Sequence, residues 1–89
     1  MHTVIIGRRW FRKTYGNTYH SVTVIVDGET IGTCPMAYGY GEQYIQTAHE
    51  ALVKAGRFTG DYSAFCQDRM DNRDKYTVTV SDVARQKDL

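Results

Sequence analysis

The segment Ser21-Val22-Thr23-Val24-Ile25-Val26-Asp27-Gly28-Glu29-Thr30-Ile31 decides the fold class. Val22, Val24 and Val26 alternate with Ser21 and Thr23, the period-two pattern of a half-buried strand. Asp27-Gly28 follows at once, and such a pair between β-prone runs is the strongest short hairpin signal. A two-residue loop sets the register. It predicts Val26 opposite Glu29 and Val24 opposite Ile31, on one side of a sheet.

Upstream of the hairpin, residues 3–13 open with Thr3-Val4-Ile5-Ile6 and continue through Arg8-Arg9-Trp10-Phe11. Their β-branched and aromatic content predicts a strand, with Gly7 marking a bulge or a close approach. Thr14 to Thr18 is a turn, in which Gly16 and Asn17 both tolerate positive φ. Downstream, residues 29–34 form a third strand that Pro35 is expected to stop, because proline donates nothing to a ladder. Ile45, Ala48, Leu52 and Ala55 then repeat at helical spacing, which predicts a helix over about residues 42–55. Gly56 stands where a left-handed C-cap belongs. Asp61 is placed to cap a short second helix over Tyr62 to Met70, with Phe65 and Cys66 turned inward. Residues 75–82 alternate Tyr76, Val78 and Val80 with Thr77, Thr79 and Ser81 as a last strand. The polar tail from Ala84 is expected to fray.

The order β-β-β-α-α-β predicts an α+β domain. Its antiparallel sheet of about four strands would be covered on one face by the amphipathic first helix. The shared core would be Val22, Val24, Ile31, Leu52, Val78 and Val80. With 89 residues there is room for one domain, 1–89, whose small buried surface makes a homodimer a natural way to add stability. Two cysteines are too few for a disulfide scaffold. Val4-Ile5-Ile6 is shorter than a signal-peptide core, and no stretch approaches the ~20 apolar residues of a membrane span. These features lead to the expectation of a soluble, reduced, cytoplasmic protein that makes no use of a membrane.

The chemistry of known enzyme classes is hard to find. Cys34 and Cys66 with His20 or His49 are candidates for nucleophile and base, but free cysteine is among the most buried residue types. His2, His20 and His49 are far apart, and CxxC, HxxxH and HExxH are missing, so no metal is expected. Asp68, Asp71 and Asp74 lack the glycine turn and distal glutamate of a calcium loop. Gly39 and Gly41 precede a helix, but Glu42 in its first turn would repel phosphate. Their expected role is to let Tyr38 and Tyr40 pivot between sheet and helix. No cofactor and no catalytic residues follow from this sequence; the expectation is a non-enzyme.

Binding is better supported. The net charge of +1 hides a segment of +4 over residues 1–26 and one of −3 over residues 27–89. Seven tyrosines, three phenylalanines and a single tryptophan exceed what a minimal core needs, so some are expected at a contact surface. Arg8, Arg9, Trp10, Arg12, Lys13 and Tyr15 interleave cations with rings, as a nucleic-acid platform requires. On a strand, Arg8, Trp10 and Arg12 share one face, while Arg9, Phe11 and Lys13 share the other. The competing structural reading makes Trp10 or Phe11 a core anchor and the cations guards of a sheet edge.

The strings RRWFRKTYGNTYHSV (8–22), YGYGEQYIQTA (38–48) and NRDKYTVTVSDVARQKDL (72–89) resemble small open reading frames of bacteriophages and other mobile elements. The resemblance implies an accessory protein acting in a bacterial host cytoplasm, with no catalytic residues to transfer. By analogy of setting, it suggests a stoichiometric inhibitor of host defence, of the anti-CRISPR kind. Such an inhibitor would grip a host protein or nucleoprotein complex through Tyr15, Tyr19, Tyr38 and Tyr40. An acidic patch of Asp68, Asp71 and Asp74 would imitate phosphates. The alternative is a small nucleic-acid-binding module using the first hairpin.

Overall fold

The computed structural model describes residues 2–39 and 41–89, so Tyr40 lies outside the described residues. Three strands, β1 (Thr3–Arg12), β2 (Asn17–Val26) and β3 (Glu29–Tyr38), are followed by helices α1 (Gln43–Lys54) and α2 (Tyr62–Asp71). Strand β4 (Tyr76–Val83) completes a sheet in the order β3-β2-β1-β4. The Asp27-Gly28 loop has φ values of 51° and 83°, as a tight turn with two left-handed residues requires, and Val26 pairs with Glu29.

The sheet is mixed rather than wholly antiparallel. β1 and β2 pair antiparallel, as do β2 and β3, but β4 lies parallel to β1. The reason is the path of the chain. After β3 the two helices carry it back along the sheet, so β4 enters from the end where β1 begins.

β3 also corrects the expected stop, since the strand runs through Pro35 to Tyr38. As an edge strand it tolerates the missing N–H. A register shift between His20 and Val22 lies opposite Pro35, and a second, between Val24 and Ile25, sets Val24 against Gly32 instead of Ile31.

α1 buries Tyr44, Ile45, Ala48 and Leu52 against the sheet. Its end is closed by two bonds, from Gly56 N to the Val53 carbonyl at 3.0 Å and from Arg57 N to the Leu52 carbonyl at 2.9 Å. That double bond past a left-handed glycine is the Schellman arrangement. Asp61 caps α2 by accepting from Ala64 N at 2.9 Å.

The core consists of Ile5, Val22, Val24 and Val26 from the sheet, the four α1 residues and Phe65. Ile31 and Val78 pack against it only in part, and Val80 is 39% exposed because the helices do not reach that far along the edge strand. Gly7 is a close approach and not a bulge: a Cβ there would stand 2.6 Å from the Tyr44 ring. Among the described residues no helix is long and apolar enough to cross a membrane.

Candidate functional site

The helices cover one face of the sheet and leave the other open, and alternation assigns every second strand residue to that open face. The register aligns Trp10, Tyr19 and Tyr38 in one row across β1, β2 and β3. The Trp10 and Tyr19 rings stack with centroids 5.8 Å apart, and Tyr38 meets Tyr19 edge-on at 5.7 Å. Tyr38 is 65% exposed, and Trp10 and Tyr19 are half-buried.

Arg8 and Arg12, both exposed, flank Trp10 on the same face. The Arg12 guanidinium lies 4.5 Å over the Tyr15 ring, a cation–π contact that holds both side chains out from the β1–β2 loop. No strand residue on this face is an aspartate or a glutamate, so the face itself supplies no counter-charge for Arg8 and Arg12.

Two further contributors escaped the sequence reading. Met36 shares the face with Tyr38 once β3 is continued past Pro35, and Val83 stands beside Trp10. The chain end also takes part. Gln86 Nε2 donates to Met36 Sδ at 3.4 Å, linking opposite edges of the sheet. That span is three strand spacings, about 14 Å, so the tail crosses the open face instead of trailing from it. Residues Gln86–Asp88 form a 3-10 turn there, fastened by an Arg85–Asp88 ion pair at 3.7 Å. Ser21, on the same face, is only 7% exposed.

The rest of the basic stretch faces the other way. Arg9 Nε donates to Asp82 Oδ1 at 3.0 Å and Arg9 Nη1 to the Gly41 carbonyl at 3.2 Å. Those bonds tie β1 to β4 and to the lead into α1, so Arg9 is a structural clamp. Phe11 and Lys13 line a separate cleft beside Asp82 on that side.

The expected acidic patch is not assembled. Asp68 turns inward, where its carboxylate accepts from the Tyr76 hydroxyl and, at 2.9 Å, from Asn72 Nδ2. Burial, reinforced by the adjacent Asp68 carboxylate, pushes the Tyr76 hydroxyl well above its ordinary value. Asp71 is exposed and accepts from Gln67 at 3.0 Å, and Asp74 is exposed on the 3-10 turn Arg73–Lys75.

His20 is buried, with Nδ1 3.3 Å from the Gly39 carbonyl and Nε2 2.7 Å from Thr47 Oγ1. His49 donates to the Gly60 carbonyl at 3.0 Å inside a ring of Phe58, Tyr62 and Phe65. Cys34 on β3 and Cys66 on α2 are half-buried free thiols. Burial, and then the Cys66 thiol, push the Tyr62 hydroxyl up from its ordinary value. Among the described residues no group of three or more His, Cys, Asp or Glu side chains converges to hold a metal ion.

Among the described residues, the open face is therefore where the expected binding residues Trp10, Tyr19, Tyr38, Arg8, Arg12 and Tyr15 come together. No family model, curated protein or solved structure matches the chain.

Proposed function

We propose that this chain is a non-enzymatic binding protein that takes single-stranded nucleic acid on the open face of its sheet. The row of Trp10, Tyr19 and Tyr38 between Arg8 and Arg12 carries this reading. Rings on a flat sheet accept the faces of unpaired bases, and the two unneutralised guanidinium groups meet the backbone phosphates. A duplex hides its base faces in its own stack, so it binds more weakly. The resemblance to phage open reading frames supplies the setting, an accessory factor acting on a host or phage strand in a bacterial cytoplasm.

A host protein is the second reading, in the sense of a counter-defence inhibitor. Tyr15 at 66% exposure and Tyr38 at 65%, with Met36 two residues from Tyr38 on β3, favour it, because exposed tyrosine is a preferred contact residue. The withdrawal of Asp68 weakens its phosphate-mimic form.

Anisotropy of a labelled oligothymidylate, titrated at low salt against a duplex of equal length, tests the proposal. The single strand binds more tightly, and Trp10→Ala weakens it about 5- to 150-fold, the loss of about 1–3 kcal/mol of stacking. Arg8→Gln lowers the salt slope by about 0.7. No binding of either oligonucleotide at low salt overturns the proposal. Stoichiometric capture of one bacterial protein, abolished by Tyr38→Ala in that same situation, assigns the face to the second reading.

A further inference from the structure

The two edges of the sheet are built differently. β3 is blunted by Pro35 and two register shifts, devices that keep a foreign strand from pairing. β4 has none of them. Its sequence Tyr76-Thr77-Val78-Thr79-Val80-Ser81-Asp82-Val83 contains no proline, glycine, lysine or arginine. Its register against β1 runs unbroken over eight pairs. Among the described residues no strand pairs with its outer side. Next to it, Met70 of α2 is 63% exposed and Val80 is 39% exposed, apolar surface that a lone edge strand leaves to water.

We infer that β4 pairs antiparallel with β4 of a second copy of this chain, about a two-fold axis through Thr79, to give one eight-stranded sheet. Antiparallel partners point to the same side of a sheet. This register therefore places Val78 beside Val80 of the second copy on the helix side, and Thr77 beside its Ser81 on the open side. Tyr76 then meets its Asp82. An axis through Val80 would set Val78 against Asp82 instead, and one through Val78 would set Asp74 against Asp82.

Charge argues for a second copy as the occupant. The groove at the start of β4, lined by Arg69, Met70, Arg73, Tyr76 and Val78, contains a buried Arg69 Nε without a hydrogen-bond partner. Glu42 lines the same groove and leaves the two arginines in excess. The end of β4 carries Asp82, whose side chain is 76% exposed and which uses one oxygen on Arg9. The two-fold delivers that acid to the basic groove twice, once from each copy, so the strand is complementary to its own reversed partner.

The pairing stands independently of the nucleic-acid reading. It leaves both aromatic rows on the same side of the combined sheet, because the axis is perpendicular to it.

Sedimentation of the full chain over a range of concentrations, with three single variants, tests the inference. Wild type sediments at twice 10.2 kDa. Thr79→Lys, which brings like charges together on the axis without touching the core, and Val80→Lys both sediment as monomers with wild-type circular dichroism. Oxidised Thr79→Cys gives an intermolecular disulfide that mass spectrometry maps to position 79 in both copies. A wild type that stays monomeric at every concentration overturns the inference. So does a Thr79→Lys protein as dimeric as wild type, which would place the contact elsewhere whatever Val80→Lys does to folding.

Discussion

Asp68 and Tyr76 show how one half-buried pair redirects a residue that sequence spacing assigns to the surface. The Tyr76 hydroxyl donates to the Asp68 carboxylate, and Asn72 Nδ2 donates to its other oxygen at 2.9 Å. A carboxylate with two such donors is held in place, and removing the hydroxyl by Tyr76→Phe loses about 1.5–3 kcal/mol, as for hydrogen bonds to charged groups. Titration follows from the same contact. The folded protein keeps Tyr76 neutral above its ordinary pKa of about 10, where the unfolded chain ionises. Its stabilisation is therefore full below about pH 10 and is lost as pH rises from there towards the raised folded value. Denaturant unfolding of wild type and Tyr76→Phe from neutral pH upward should show a gap that narrows beyond about pH 10. A gap that stays constant would mean that the hydroxyl ionises in the fold as it does in water. None of this was legible from Asp68-x-x-Asp71-x-x-Asp74, because the partner stands eight residues on, beyond a helix end and a 3-10 turn.

At the scale of elements, local chemistry was readable and non-local choices were not. Asp27-Gly28, the α1 stripe closed by Gly56 and the Asp61 cap each lie within a few residues of the structure they specify. The parallel placement of β4, by contrast, depends on where two helices deliver the chain, and alternation within Tyr76–Val83 is the same for either direction. The expected stop at Pro35 differs from the structure for a related reason: a proline stops a central strand, and only the sheet order reveals that β3 is an edge. Gly7 is the joint between layers, since its missing side chain lets the Tyr44 ring lie on β1. Alanine is ordinarily the better strand residue by about 0.5–1 kcal/mol. Gly7→Ala is nevertheless expected to destabilise by about 1–3 kcal/mol, because the new methyl group meets the ring at 2.6 Å. Adding Tyr44→Leu should recover part of that loss. Strictly additive effects in the double variant would show that the ring is not what the methyl group meets.

For the whole molecule, the candidate site is a property of the assembled sheet. Its residues come from all four strands and the β1–β2 loop, and a row such as Trp10, Tyr19 and Tyr38 exists only once two registers are fixed. The basic first hairpin was visible in the sequence. Its division between a clamp at Arg9 and a free face at Arg8 and Arg12 followed from strand alternation plus the Asp82 partner on β4. The crossing tail was not visible, because a polar chain end has no periodicity to read. Among the described residues its side-chain hold is slight: one exposed hydrogen bond from Gln86 to Met36 and one exposed ion pair within the tail, contacts worth little to stability. On the proposed function the tail shares its surface with the ligand, so whatever the tail covers would have to be uncovered for rings to stack on bases. Deleting residues 84–89 should therefore leave the unfolding midpoint nearly unchanged while acrylamide quenches Trp10, the single tryptophan, more strongly. The affinity for oligothymidylate should rise in the same variant. Stronger quenching with weaker binding would instead make the tail a wall of the site, and unchanged quenching would show that it does not lie over the row.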